Sequence, residues 1–152
     1  MDLPQSVVER RLAGWPVARL ASIGADGAPH QVPVVFARSG AALWTPVDGK
    51  PKSGRELVRV RNIRERPRVS LLLDQYSADW AQLWLIRIDA HARVVTPTAP
   101  EQDTRFMAAL EALRAKYRQY EEVPLLTARP TLIELEVLGT CSWCSSEAAA
   151  RV

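Results

Sequence analysis

The run Thr45-Pro46-Val47-Asp48-Gly49-Lys50-Pro51-Lys52-Ser53-Gly54-Arg55 brings together the residue types that hold an anion. Gly49 lets the backbone turn, Lys50 and Lys52 project two full positive charges, and Ser53 is placed to cap a helix with Glu56 at the third position of a capping box. Free amide groups at a helix N-terminus, with the positive end of the helix dipole, favour phosphate or carboxylate. The residues read equally well as a solvated basic loop leading into a basic helix that faces water. Composition alone leaves both readings open. The net charge of +3 is a weak pointer to anionic partners, but its distribution is uneven. Seven basic residues fall between Lys50 and Arg66, against the two acids Glu56 and Glu65.

Other side chains capable of chemistry are few. Cys141 and Cys144 form a Cys-x-x-Cys spacing near the C-terminus. A thioredoxin-type pair opens a helix after an early strand, and a zinc tetrahedron needs a second pair, so these two read as small residues in a C-terminal turn. His30 begins a strand and is a candidate for a substrate-side role or for a hydrogen-bonded turn histidine; His91 lies on the polar face of a long strand and reads as structural. Trp80 and Trp84 are candidates to wall a planar ligand, with burial as the alternative for Trp84. The sequence holds no Gly-x-Ser-x-Gly turn, His-Glu-x-x-His helix, P-loop or Rossmann glycine pattern, and no catalytic residue or metal site is assigned.

The elements that position these residues follow from hydrophobic periodicity. A short helix with Val7, Val8, Arg11 and Leu12 on related turns stops at Gly14 and Pro16, and is expected to plug one end of a sheet. Val17 to Ile23 and His30 to Ala37 suit strands joined by the hairpin Gly24-Ala25-Asp26-Gly27, and Arg38-Ser39-Gly40 turns into a third strand, Ala42 to Pro46. Ser53 to Arg66 reads as a helix that buries Leu57, Val60 and Ile63, with Arg59, Asn62 and Arg66 on another face, ended by Pro67. Val69 to Leu73 is the fourth strand. Leu83 to Val95 is the clearest, with Trp84, Ile86, Ile88, Ala90, Ala92 and Val94 on one side; its length predicts a strand that bends around a barrel. Thr98 and Glu101 form a second capping box before a helix carrying Phe106, Leu110, Leu113 and Tyr117, and Thr131 to Leu138 is the sixth strand. The expectation is a mainly β, α+β chain: one domain over residues 1–152, a small six-stranded antiparallel barrel with covering helices.

The order of these pieces resembles the pyridoxamine phosphate oxidase-like split β-barrel proteins, of the FMN-binding split barrel type, and in particular the deazaflavin-dependent branch that uses coenzyme F420. The resemblance rests on Val17-Ala18-Arg19-Leu20-Ala21, Asp26-Gly27-Ala28-Pro29-His30, Val32-Pro33-Val34, Asp48-Gly49-Lys50-Pro51-Lys52, Arg61-Asn62-Ile63-Arg64 and Pro67-Arg68-Val69-Ser70-Leu71. Asp79-Trp80, Leu83-Trp84, Arg87 and Trp143 complete it. It implies a homodimer with two cofactor sites along the subunit interface. Gln31, Val32 and Pro33 would lie against the flavin or deazaflavin ring, and Thr45 with Lys50 and Lys52 would hold the phosphate. Arg55 and Arg59 would reach the phosphate or an acidic cofactor tail. Gly49 stands where a histidine is expected before the first lysine, and Leu85 where that branch commonly has a second tryptophan; both bear on substrate choice.

Three functional classes follow: an oxidoreductase moving a hydride from reduced F420 to a small electron-poor molecule, an FMN-binding oxidoreductase of the same fold, and a non-catalytic binder of F420 or haem. The basic stripe Arg55, Arg59 and Arg66 favours F420 over FMN, whose single phosphate needs fewer basic contacts. Nucleic-acid binding has only charge behind it. The longest apolar runs, such as Val32 to Ala37, are far short of the roughly 20 residues a membrane helix needs. No basic segment followed by an apolar stretch opens the chain, so a cytoplasmic protein is expected.

Overall fold

The structure is a computed structural model and describes residues 1–47, 56–122 and 130–151. Its elements are α1 (Gln5–Gly14), β1 (Ala18–Ile23), β2 (Pro29–Val34), β3 (Ala37–Ser39), β4 (Ala42–Pro46), α2 (Val58–Glu65), β5 (Arg68–Gln75), β6 (Trp84–Val95), α3 (Thr104–Lys116), β7 (Leu132–Cys144) and α4 (Glu147–Arg151). Short 3-10 turns at Trp80–Gln82, Pro100–Gln102 and Arg118–Glu121 join them. All strands lie in one sheet of order β2-β1-β5-β6-β7-β4-β3, and every pairing is antiparallel. This is the split-barrel architecture, α+β and mostly antiparallel, with seven strands where six are expected.

The seventh strand arises because the expected strand His30 to Ala37 is two. Between β2 and β3 the backbone of Phe36 leaves the ladder and bonds to a side chain instead. Its N–H donates to the Tyr117 hydroxyl at 3.0 Å, and that hydroxyl lies 2.8 Å from the Phe36 carbonyl and 2.9 Å from the Pro16 carbonyl. A phenol satisfies the polar groups that a neighbouring strand would otherwise have to pair. The chain can therefore cross from one edge of the sheet to the other in two residues, and this crossing is the split.

Two hydrophobic layers hold the sheet. Inside the curve, Leu20, Leu71, Leu73, Ile86, Ile88, Ile133 and Leu135 pack with Val7, Val8 and Leu12 of α1, which plugs one end as expected. Arg11 is buried with them: its guanidinium lies 3.9 Å from the Trp84 ring centroid and donates to the Ala149 carbonyl at 2.6 Å. Trp84 is therefore a core residue, 3% exposed. Outside the curve, Phe106, Ala109, Leu110 and Leu113 of α3 cover Ala37, Ala42 and Trp44. Gly27 takes φ +82° in the β1–β2 hairpin and Gly40 φ +62° in the β3–β4 turn, a region that favours glycine.

Four expected details are corrected. Helix α2 begins at Val58 after an extended Leu57, without a side-chain cap. Glu56, expected in a capping box with Ser53, instead pairs with Arg64. Asn62 of α2 is buried and donates to Ser22 Oγ at 3.0 Å, so it docks the helix on β1 instead of sharing a solvent face with the arginines. The cap of α3 is Asp103, which accepts from the Phe106 N–H at 3.0 Å; Thr98 and Glu101 lie before it, Glu101 in a 3-10 turn. Finally, β7 runs on through Cys144, paired with β6 along its length across an irregularity at Asp89/Ala90. The two cysteines are three apart on a strand and so on opposite faces, Cys141 exposed and Cys144 buried. No turn brings them together for redox or metal chemistry.

Candidate functional site

The crossing between β2 and β3 leaves a cleft between the end of β2 and the end of β4. It has a volume of about 180 Å³ and is lined by Val17, Pro33, Val34, Val35, Thr45, Pro46, Arg59 and Tyr120. Each comes from a different local cause. Pro33 sits on an edge strand, where a residue lacking an N–H removes nothing from the ladder. Thr45 is on β4, paired to Ile133, and its β-branched side chain is 1% exposed. Arg59 is carried in by α2, whose angle is set by the Asn62–Ser22 bond and by buried Val60 and Ile63. Tyr120 follows α3, edge-on to Tyr117 at 6.1 Å between ring centroids.

The most informative atom in the cleft is Thr45 Oγ1. It is fully buried and has no hydrogen-bond partner among the described residues. A buried hydroxyl left unpaired costs about 1–3 kcal/mol, a cost that a hydrogen bond to an oxygen or nitrogen atom at this wall would remove. On the inward side of β2, His30 Nδ1 is likewise buried and unpartnered. His30 faces Ser22 across the β1–β2 ladder, so its ring points to the barrel side of the strand.

The expected site residues separate into three groups. Pro33, Thr45 and Arg59 are brought together in this one cleft. Gln31 and Val32 lie on the same edge strand next to it; Gln31 is exposed and Val32 half-buried against the core. Lys50, Lys52, Ser53 and Arg55 lie outside the described residues, although Pro46 and Arg59, the nearest lining residues on either side of that segment, both face the cleft. Trp80 is not brought in: it sits in a 3-10 turn after β5, 72% exposed and away from the lining. Arg66, the last residue of the basic stripe, donates to the Ala25 carbonyl at 3.0 Å, holding the hairpin turn and not the cleft. The sequence reading did not assign Val17, Val34, Val35, Pro46 or Tyr120 to the site. Tyr120 alone carried a signal, an aromatic placed just after a buried helix.

Among the described residues no group of His, Cys, Asp and Glu could hold a metal ion, and no helix is long and apolar enough to cross a membrane.

The family profile of pyridoxamine 5'-phosphate oxidase matches residues 5–139. No curated protein matches the sequence. Among solved structures, the conserved hypothetical protein Rv2991 from Mycobacterium tuberculosis superposes with a TM-score of 0.75 at 19% identity, covering 97% of this chain and 89% of that one. The haem storage protein HutZ from Vibrio cholerae gives a TM-score of 0.69 at 14% identity, covering 92% and 94%. A protein described as an F420 reductase gives 0.59 at 18% identity, covering 87% and 94%. At these identities the likeness shows the fold.

Proposed function

Starting from a chain that belongs to the pyridoxamine 5'-phosphate oxidase family, we propose that it is an oxidoreductase that passes a hydride between reduced coenzyme F420 and a small electron-poor organic substrate. The observation that carries this reading is the buried hydroxyl of Thr45 at the wall of the split, without a hydrogen-bond partner among the described residues, with Arg59 lining the same cleft. Thr45 would donate to a phosphate or ring oxygen, and Arg59 would supply charge. Lys50 and Lys52, on the segment between Pro46 and Arg59, would complete the anion site, with the Ser53 and Arg55 region behind them. Pro33 and the backbone of Gln31 and Val32 would form the wall for the ring. The likeness to an F420 reductase supports the choice of cofactor.

A deazaflavin, when bound, supplies hydride chemistry of its own. What this chain has to do is bind, orient and keep water out. Pro33, Val34 and Val35 make one side of the cleft apolar. Binding sites for ring-sized ligands are commonly ~300–1,000 Å³, larger than this cleft. A second copy would supply the rest, and the exposed Val137, Leu138 and Trp143 on the outer part of β7 support such an association.

Titration with F420 and, in parallel, with FMN tests the reading through the fluorescence of each ligand. Selective F420 binding that is weakened in Thr45→Val supports it. Preference for FMN moves the chemistry to the flavin class within the same fold. Binding without turnover of any acceptor leaves a carrier, the class to which the likeness to a haem storage protein points. Light scattering is expected to give close to twice the chain mass of 16.9 kDa.

A further inference from the structure

The largest cavity among those described is not the cleft at Thr45. It lies on the opposite, outer face of the sheet, with a volume of about 520 Å³. Two adjacent cross-strand rows form its floor. One row is Ala42, Glu136 and His91; the next is Trp44, Glu134 and Arg93, each running from β4 through β7 to β6. Directly paired residues in an antiparallel sheet point to the same face, so all six share the outer side. Helix α3 covers the Trp44 end and places Arg105 at the rim, while the small Ala41 and Ala42 leave the rest of the row open.

The charges in this cavity are arranged as two poles. Glu134 is 9% exposed, and both of its oxygens are taken: Arg93 binds Oε2 and Arg105 binds Oε1. The two guanidiniums are 63% and 66% exposed, so one buried carboxylate fixes two arginines whose other N–H groups face open space. A guanidinium offers five donors, and three bonds to Glu134 use only a part of the ten available. Arg105 is steadied further by the Trp44 ring, 6.0 Å from its centroid. This end carries a surplus positive charge that is already ordered, which lowers the entropy lost on binding. Two residues along β7, about 7 Å away, Glu136 is exposed and its side chain has no partner among the described residues, and neither has that of His91 beside it. That is the negative pole.

We propose that this cavity binds a small zwitterion carrying an amine and a carboxylate several bonds apart, in the manner of an ω-amino acid. The carboxylate would sit on the open N–H groups of Arg93 and Arg105, and the ammonium on Glu136. The site is separate from the cofactor cleft, because Thr45 and its outer-face neighbours lie on opposite sides of β4.

Calorimetric titration of the full chain with 4-aminobutyrate, butyrate and butylamine tests this. The zwitterion is expected to bind about tenfold tighter than either single-charge analogue, the value of one charge-assisted contact. In Glu136→Gln, which changes an exposed side chain and leaves the Glu134 pairs intact, that advantage over butyrate should vanish while butyrate binding stays. In Arg105→Gln both acids should weaken. Absence of binding by 4-aminobutyrate, equal binding of all three, or an unchanged preference in Glu136→Gln would overturn the proposal; the last variant decides it even if Arg105→Gln fails to fold.

Discussion

Two buried hydroxyls lie close to the split of the barrel and have opposite fates. Tyr117 makes contacts with the backbone of Phe36 on both its polar groups and with the Pro16 carbonyl. Burial pushes its phenol up from the usual value, so it stays protonated and able to donate across the ordinary pH range. Thr45 is as well buried and makes none among the described residues. The first hydroxyl bridges the crossing that opens the cleft; the second lines that cleft and is the atom on which the proposed ligand contact rests. Two hydroxyls of similar burial thus differ in whether the fold itself satisfies them.

The sharpest way to break this comparison is to remove the support of the crossing. Phe106→Ala empties a fully buried site in the layer under α3 and is expected to cost about 3–5 kcal/mol, read as a large fall in the denaturant midpoint. Tyr117→Phe keeps the ring but leaves the Phe36 N–H and carbonyl without their partner; a loss of about 1–3 kcal/mol is expected. A Tyr117→Phe protein as stable as the parent would mean that the phenol does not hold the split. Thr45→Val should do the reverse: stability unchanged or slightly raised, because an unpaired hydroxyl is lost, with F420 affinity down about tenfold. Lys50→Ala with Lys52→Ala should weaken the same binding while the melting temperature hardly moves. Unaltered affinity there would remove the lysines from the site.

The smallest effect concerns Lys116, beside Tyr117. Its ammonium donates to the Leu12 carbonyl at 3.1 Å and lies 3.7 Å from the Phe36 ring centroid, and burial lowers its pKa from 10.5 to about 8. The unfolded chain therefore holds that proton more tightly than the folded one. Between about pH 8 and 10.5 the native state is the less protonated, and its stability rises with pH. Below pH 8 the cost of the buried charge is present in full. The stability of the parent relative to Lys116→Met should thus climb across this window; a flat difference would show the ammonium to be hydrated in both states.

Much of the fold was legible because it is written in periodicity. The alternation from Trp84 to Val95 has one face wholly apolar, and that face is the barrel interior. The spacing of Phe106, Leu110, Leu113 and Tyr117 has one solution, a helix buried on that side. Helix starts were less legible. Ser, Thr and Glu at the right spacing make a capping box only if the chain turns there. It turns instead at Leu57 and at Asp103, where packing of Val60 and of Phe106 decides the register. The Cys141 spacing suffered similarly: a local pattern cannot show that β6 offers a pairing edge as far as Cys144.

What the amino-acid sequence determined by itself is most of the elements, their buried faces, the family, and the placing of basic residues shortly after β4 along the chain. Those follow from side-chain volume, branching and spacing along one chain, which need no partner to be read. What only the tertiary structure decided is which residues meet. Thr45 joins Arg59, Pro33 and Tyr120 because the sheet curls until β4 stands beside β2. Trp80 is left in solvent, and Glu134 is caught between two arginines from different elements. A meeting between residues of different elements is set by sheet order and by the hydrogen bonds that end a strand, and neither has a local signature.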